Sequence, residues 1–161
     1  MNKHILIVDD DPLMTRSLAF NLQRAGYATS SAATAEAAID MIHDKQPDAI
    51  LLDIGLPGMD GLEVCACLKA NAATAEIPVI FITAKNNPEA EIAAFAAGAV
   101  DFITKPVNPV TARARIQTHL TLKQQKDLLR AQAMVDGLTG IANRRFFDER
   151  LIAEWRHLQR H

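Results

Sequence analysis

Five short apolar runs, His4–Val8, Tyr27–Ala32, Asp48–Asp53, Ile77–Ile82 and Val100–Ile103, alternate with segments that read as helices. Runs this short that are apolar nearly throughout, rather than at every second position, belong to strands covered on both faces. That is the pattern of a parallel sheet, not of an antiparallel one with a wet side. The predicted class is therefore α/β, a doubly wound five-stranded parallel sheet, and the right-handed crossover rule leaves few ways to connect it.

The punctuation between the runs agrees. Asp9-Asp10-Asp11-Pro12 combines an acidic N-cap with a helix-initiating proline and predicts a helix over Pro12–Ala25, ended by Gly26. Leu13, Leu18, Phe20, Leu22 and Ala25 are expected on its apolar side. Thr34 caps a second helix, Ala35–Lys45, with Ala38, Ile39, Met41 and Ile42 inward and Pro47 as its stop. Asp60 and Glu63 resemble a capping box for Gly61–Asn71. Asn87-Pro88 opens a helix that runs to Ala97 and stops at Gly98, and Asn108-Pro109 opens the last one.

Composition narrows the function classes. The net charge of -2, from 17 basic and 19 acidic residues, gives no reason to expect nucleic acid or an anionic membrane as partner. No apolar run approaches membrane-spanning length and Met1–His4 leads straight into a strand, so a cytoplasmic address is expected. Cys65 and Cys67 stand about 200° apart on a helix, which suits neither a disulfide nor a shared metal, and both read as packing residues. His4, His43, His119, His157 and His161 show no ligand spacing and receive no role.

In open parallel sheets the ligand site lies beyond the carboxyl ends of the strands, where strand order reverses. Asp9, Asp10, Asp53, Thr83 and Lys105 all fall at such ends. With order 2-1-3-4-5, the flavodoxin-like arrangement, the first and third strands are neighbours, and Asp9 and Asp10 face Asp53. Three carboxylates there need a raised pKa or a hard cation with oxygen ligands, for which Mg²⁺ is the natural candidate, with Lys105 as a second positive charge. Taken singly, each residue is an ordinary turn former or solvated side chain. Together they make an aspartate nucleophile whose incoming phosphoryl oxygens Mg²⁺ and Lys105 would neutralise and Thr83 would hydrogen-bond.

Asp9-Asp10, Asp53 with Leu56-Pro57 and Met59-Asp60-Gly61, Thr83-Ala84 and Lys105-Pro106 keep the order and spacing of a known family. Residues 1–122 resemble the receiver domain of bacterial response regulators. The resemblance implies that Asp53 accepts a phosphoryl group from a sensor histidine kinase, and that Asp9, Asp10, Asp53 and the Gly55 carbonyl hold Mg²⁺. It makes Thr83 and Phe102 the switch pair, and it implies a cis peptide before Pro106. Family members often carry Tyr where Phe102 stands, so a hydroxyl contact is missing from this switch.

The last helix has no Gly or Pro from Pro109 to about Val135, longer than such a domain requires. Residues 123–135 read as a helical signalling linker, and the stretch Thr121–Ala133, with Leu122, Leu128 and Leu129 as its main apolar residues, reads either as a thin coiled-coil seam or as a solvated helix. Asp136-Gly137-Leu138-Thr139-Gly140-Ile141-Ala142-Asn143-Arg144-Arg145 resembles the opening of GGDEF domains, the diguanylate cyclase family, so residues 136–161 read as a truncated N-terminal fragment of one. Phe146, Phe147, Leu151, Ile152, Trp155 and Leu158 would give it an apolar helix side. That family's GTP- and metal-binding residues lie after this opening, so the 161 residues are expected to lack cyclase activity while a longer parent makes cyclic di-GMP. A homodimer is expected through the face of helix four, strand five and helix five, or through the linker. The competing readings are a Mg²⁺-dependent aspartyl-phosphate phosphatase and a phosphorylation-independent dimerisation module. A dinucleotide-binding domain lacks its Gly-x-Gly-x-x-Gly and Walker lysine here, and no organic cofactor site is expected.

Overall fold

A computed structural model describes residues 2–84 and 87–136. The chain divides into two compact units, Met1–Leu120 and Thr121–His161. In chain order the elements are β1 (His4–Val8), α1 (Pro12–Arg24), β2 (Ala28–Ala32), α2 (Ala35–Asp44), β3 (Ala49–Asp53), α3 (Gly61–Ala70), β4 (Val79–Thr83), α4 (Pro88–Ala96), β5 (Asp101–Thr104) and α5 (Pro109–Asp136). The five strands form one parallel sheet in the order β2-β1-β3-β4-β5. The expected fold class, strand order and extended last helix are all present.

Each strand contributes to both faces of the sheet because successive side chains alternate. On one face Leu6, Val8, Ile50, Leu52, Val79 and Phe81 pack against buried residues of α2, α3 and α4, among them Ala38, Ile42, Val64, Cys65 and Ala94. On the other, Ile5, Ile7, Leu51, Ile80, Ile82 and Ile103 meet Leu18 and Leu22 of α1 and Ala112, Ile116 and Leu120 of α5. Two-sided cover explains why β1, β3 and β4 read as unbroken apolar runs, and why β2, which pairs only with β1, could be as polar as Ala-Thr-Ser-Ser-Ala.

The expected N-caps form, although of the Asp60–Glu63 capping box only the Asp60 half is made. Asp11, Thr34, Asp60 and Asn87 each accept a backbone N–H from the first turn of α1, α2, α3 and α4. The strand limits move by one or two residues, and β4 starts at Val79 rather than Ile77 and takes in Thr83.

Four packing expectations are corrected. Leu13 and Phe20 do not face the core but are 76% and 58% exposed, and Ala25 is the exposed C-cap of α1. The stripe that turns inward is Met14, Leu18 and Leu22, spaced by four, whereas Leu13 and Phe20 stand about 140° and 200° from Leu18 at 100° per residue. The Phe20 ring instead lies under the Arg24 guanidinium, 5.8 Å from it. Cys65 packs as expected, but Cys67, on the opposite side of α3, is exposed.

In the second unit the structure describes the helical run from Thr121 to Asp136, where Leu122, Leu128 and Leu129 are exposed. Residues 137–161, with most of the cyclase-like opening, its apolar helix side, His157 and His161, lie outside the described residues. No helix among the described residues is long and apolar enough to cross a membrane.

Candidate functional site

The carboxyl ends of β1, β3, β4 and β5 deliver the site. Strand order reverses between β1 and β3, so the crevice opens above that pair and Asp9 arrives beside Asp53. Backbone hydrogen bonds hold the strand exits in step. The Asp9 N–H donates to the Ala32 carbonyl (3.1 Å), the Ile54 N–H to the Ile82 carbonyl (3.2 Å) and the Lys105 N–H to the Thr83 carbonyl (2.7 Å). The Lys105–Pro106 peptide is cis.

Asp9, Asp10 and Asp53 can each present a carboxylate oxygen such that all three lie within 4.8 Å of one another. Asp9 and Asp53 are buried and Asp10 is exposed, so the cluster has one wet side. Asp53 is held at both oxygens: Oδ1 accepts the Gly55 N–H at 3.0 Å and Oδ2 accepts Lys105 Nζ at 3.1 Å. Asp9 is held at one. Its Oδ1 accepts the Asp11 N–H at 2.8 Å, while Oδ2 has no hydrogen-bond partner and finds Lys105 Nζ only at 3.7 Å. Thr83 is also buried, and its Oγ1 has no partner. A cleft of about 280 Å³ connects Asp10, Asp53, Gly55, Thr83 and Lys105 with Asn87 and Ala90 of α4.

Burial pushes the Asp9 carboxyl above the usual aspartate range. The Asp11 N–H opposes that, the charge of Asp53 adds to it, Lys105 opposes it and Asp10 adds again. Burial also works against the Lys105 ammonium, but its hydrogen bond to Asp53 and the charges of Asp53, Asp9 and Asp10 outweigh burial and raise its pKa. The site is thus short of positive charge. Its oxygen-only donors, one of them a buried orphan, suit a small hard divalent cation.

The loop after Asp53 leaves no room for a side chain at Gly61, where a β-carbon would collide with the Asp53 carbonyl oxygen and lie 3.0 Å from the Ile54 α-carbon. Asp60 caps α3 directly behind it, so the helix start and the Asp53 loop are one packed unit.

All the residues singled out in the sequence for the acidic cluster and its flanks converge here. Phe102 stands one layer away: half-buried on β5, it meets the Phe95 ring of α4 edge to face, centroids 5.6 Å apart at 79°. The sequence reading gave no role to Phe95, nor to Asp101, whose Oδ2 accepts both Arg115 Nη1 (2.8 Å) and His119 Nε2 (3.0 Å) from α5. Arg115 and His119 are four apart on a helix, a signal that they share a face. Their partner lies 14 and 18 residues earlier, which spacing alone does not reveal.

Residues 5–117 match the family model described as response regulator receiver domain. A protein of Vibrio cholerae named "Probable cyclic di-GMP phosphodiesterase" is 42% identical over 127 residues, covering 78% of this chain and 28% of its own length. The alkaline phosphatase synthesis transcriptional regulatory protein PhoP of Bacillus subtilis is 37% identical over 120 residues, covering 74% of this chain and 49% of its own. The chain thus spans less than half the length of either curated relative. Among solved structures, a CheY-like response regulator receiver domain protein from Methanospirillum hungatei superposes with a TM-score of 0.72 at 32% identity, over 78% of this chain and 99% of that one.

Proposed function

The chain belongs to the response regulator receiver family, and from that membership we propose that Asp53 is the phosphoacceptor of a histidine kinase in a two-component system. The observation that carries the reading is the convergence on Asp53: two further carboxylates within 4.8 Å, Lys105 Nζ at 3.1 Å, and a buried Thr83 hydroxyl without a partner on the same cleft. In the transfer, an Asp53 carboxylate oxygen forms a bond to phosphorus as the phosphorus–nitrogen bond of a phosphohistidine breaks, and its electron pair returns to the imidazole.

Asp9, Asp10, Asp53 and the Gly55 carbonyl would hold Mg²⁺, which supplies charge neutralisation for the phosphoryl oxygens. The unpartnered Asp9 Oδ2 is a donor such an ion would satisfy. Lys105 orients Asp53 and offers a cation to the incoming group, and Thr83 donates its hydroxyl to a phosphoryl oxygen. Thr83 and Phe102 then form the switch, through ring packing alone because Phe102 has no hydroxyl.

We read residues 123–135 as a signalling linker and residues 136–161 as the opening of a diguanylate cyclase output domain. A homodimer through the faces of α4, β5 and α5, or through the linker helix, would carry the signal. That output reading rests on the resemblance of Asp136–Arg145 to the opening of GGDEF domains.

Incubation with acetyl phosphate and Mg²⁺ tests the acceptor. A stable acyl phosphate that is absent in Asp53→Asn is the expected result. Rapid turnover of phosphomonoesters would instead support the phosphatase alternative and refute this one.

A further inference from the structure

Thr83 and Phe102 do not act alone in this chain. Strand alternation places Thr83 on the same face of the sheet as Phe81, the face covered by α2, α3 and α4, and Phe102 packs on that face as well. The β4–β5 register pairs Thr83 with Thr104 and Phe81 with Phe102. Phe102 is thus the diagonal neighbour of Thr83, one same-face step down the adjoining strand. Its ring has a second neighbour on the outer side, the edge-to-face Phe95 of α4. Phe95 is 49% exposed and does not line the cleft around Asp53.

We propose that Phe95 is a positioning residue for the phosphorylation switch: its edge-to-face contact latches Phe102 outward and so opposes the arrangement in which Thr83 engages a phosphoryl oxygen. The inference rests on the reading of Asp53 as acceptor and of Thr83 and Phe102 as the switch pair. In this structure the contact stands together with a Thr83 hydroxyl that has no partner, the arrangement the latch would favour. A ligand at Asp53 that recruits Thr83 works against it, and the ligand's apparent affinity is reduced by the fraction of molecules held in the latch. A tyrosine at the switch position could offset that loss with a new hydroxyl contact. Phe102 cannot, so the strength of its outward partner weighs more in this chain than ring packing would in a tyrosine-bearing one.

The device also gives the site a route to the surface. α4 exposes Ile92 and half of Phe95, so release of Phe102 changes the packing beneath an apolar surface rather than within a closed core. Because Phe95 is half exposed, its truncation leaves the buried cluster behind it intact, and the variants are expected to fold.

The test is titration of the 161-residue protein with beryllium trifluoride, a phosphoryl mimic, in saturating Mg²⁺, followed by fluorine NMR of the bound fluorides. Wild type is compared with Phe95→Ala, Phe95→Leu and Phe95→Tyr. An aromatic pair of this geometry predicts that Ala and Leu tighten the apparent affinity by about twofold to tenfold, while Tyr, which keeps the ring edge, restores the wild-type value. A side chain with a merely structural role would leave affinity unchanged or weaken it, and either result overturns the latch. So does a Tyr variant that behaves like Ala. If wild type binds no beryllium trifluoride, or Asp53→Asn binds it equally well, the acceptor reading fails and the latch falls with it. Binding that depends on Asp53 but is indifferent to Phe95 refutes the latch alone.

Discussion

Asp9→Asn should make the protein more stable while impairing its site. The Asp9 side chain is wholly covered, yet only Oδ1 is hydrogen-bonded, at 2.8 Å, and Oδ2 is a buried acceptor with no donor. One such orphan costs about 1–3 kcal/mol. Lys105 at 3.7 Å offsets part of the charge burial, but Asp53 repels Asp9 within the same cluster, so we take the orphan cost as the surviving figure. Asparagine keeps the shape and the Oδ1 acceptor while removing the charge. In EDTA at pH 7 the variant should therefore gain about 1–3 kcal/mol in urea unfolding, roughly 4 °C in Tm per kcal/mol for a domain of this size.

Mg²⁺ should reverse the order. Wild type gains stability as the ion binds, by about 2.7 kcal/mol at a hundredfold excess over its dissociation constant, and the variant, with one charged ligand fewer, gains much less. The pH dependence has a definite sign. Burial first, then the charges of Asp53 and Asp10, raise the folded-state pKa of Asp9 against the Asp11 N–H and Lys105. A carboxyl whose pKa is raised on folding destabilises the fold above that raised value and not below its ordinary one. The advantage of Asp9→Asn is accordingly full above that raised value and disappears as pH falls through it into the usual aspartate range. A variant less stable than wild type in EDTA at pH 7, or an advantage that persists at low pH, would refute the reasoning.

Two further outcomes follow from the same geometry. Lys105→Met removes the cation that holds Asp53 Oδ2 at 3.1 Å, so Mg²⁺ should bind severalfold more tightly by calorimetry while acyl-phosphate formation slows by about tenfold or more. Weaker Mg²⁺ binding would show that Lys105 supports the ion rather than competing with it. Asp101→Asn weakens the Arg115 and His119 bonds that tie α5 to β5, at a cost of about 1 kcal/mol once the half-exposed arginine is discounted for solvent screening. Burial raises the Asp101 pKa, but the bonds from His119 and Arg115 and the Phe102 N–H lower it overall. Its stabilisation is therefore present above the ordinary aspartate value and lost as pH falls through the folded one. The wild-type advantage in thermal melts should close across that acidic window, and a gap that instead widens there would contradict the assignment.

The sheet was legible because parallel strands covered on both faces must be apolar throughout, and the site because each of its residues directly ends or follows such a run. β2 is the exception that fits the rule: as an edge strand it needed little apolar content, and only its spacing between two helices marked it. The inward side of α1 was misread because apolar residues occur almost all the way round it. The spacing-by-four stripe of Met14, Leu18 and Leu22 was present in the sequence, but packing rather than composition selects it over Leu13 and Phe20. Asp101 with Arg115 and His119, and Phe95 with Phe102, depend on how α5 and α4 dock onto β5, which local pattern does not encode.

Burial of unpaired polar atoms is where sequence, fold and function meet. Folded chains pair nearly all such atoms, so each exception asks for a reason. Among the described residues three buried side-chain atoms lack a partner: His4 Nδ1, Asp9 Oδ2 and Thr83 Oγ1. His4 lies at the amino-terminal end of β1, away from the crevice, and burial lowers its pKa, which favours the neutral ring. The other two sit at the carboxyl ends of β1 and β4, on either side of Asp53, and they are complementary. Asp9 offers an acceptor that a cation would satisfy, and Thr83 a donor that a phosphoryl oxygen would satisfy. A fold selected for stability alone would place an asparagine and a valine there. The charged and hydroxylated forms are the ones that the proposed roles use, a cation at Asp9 and a phosphoryl oxygen at Thr83, on the carboxylate between them.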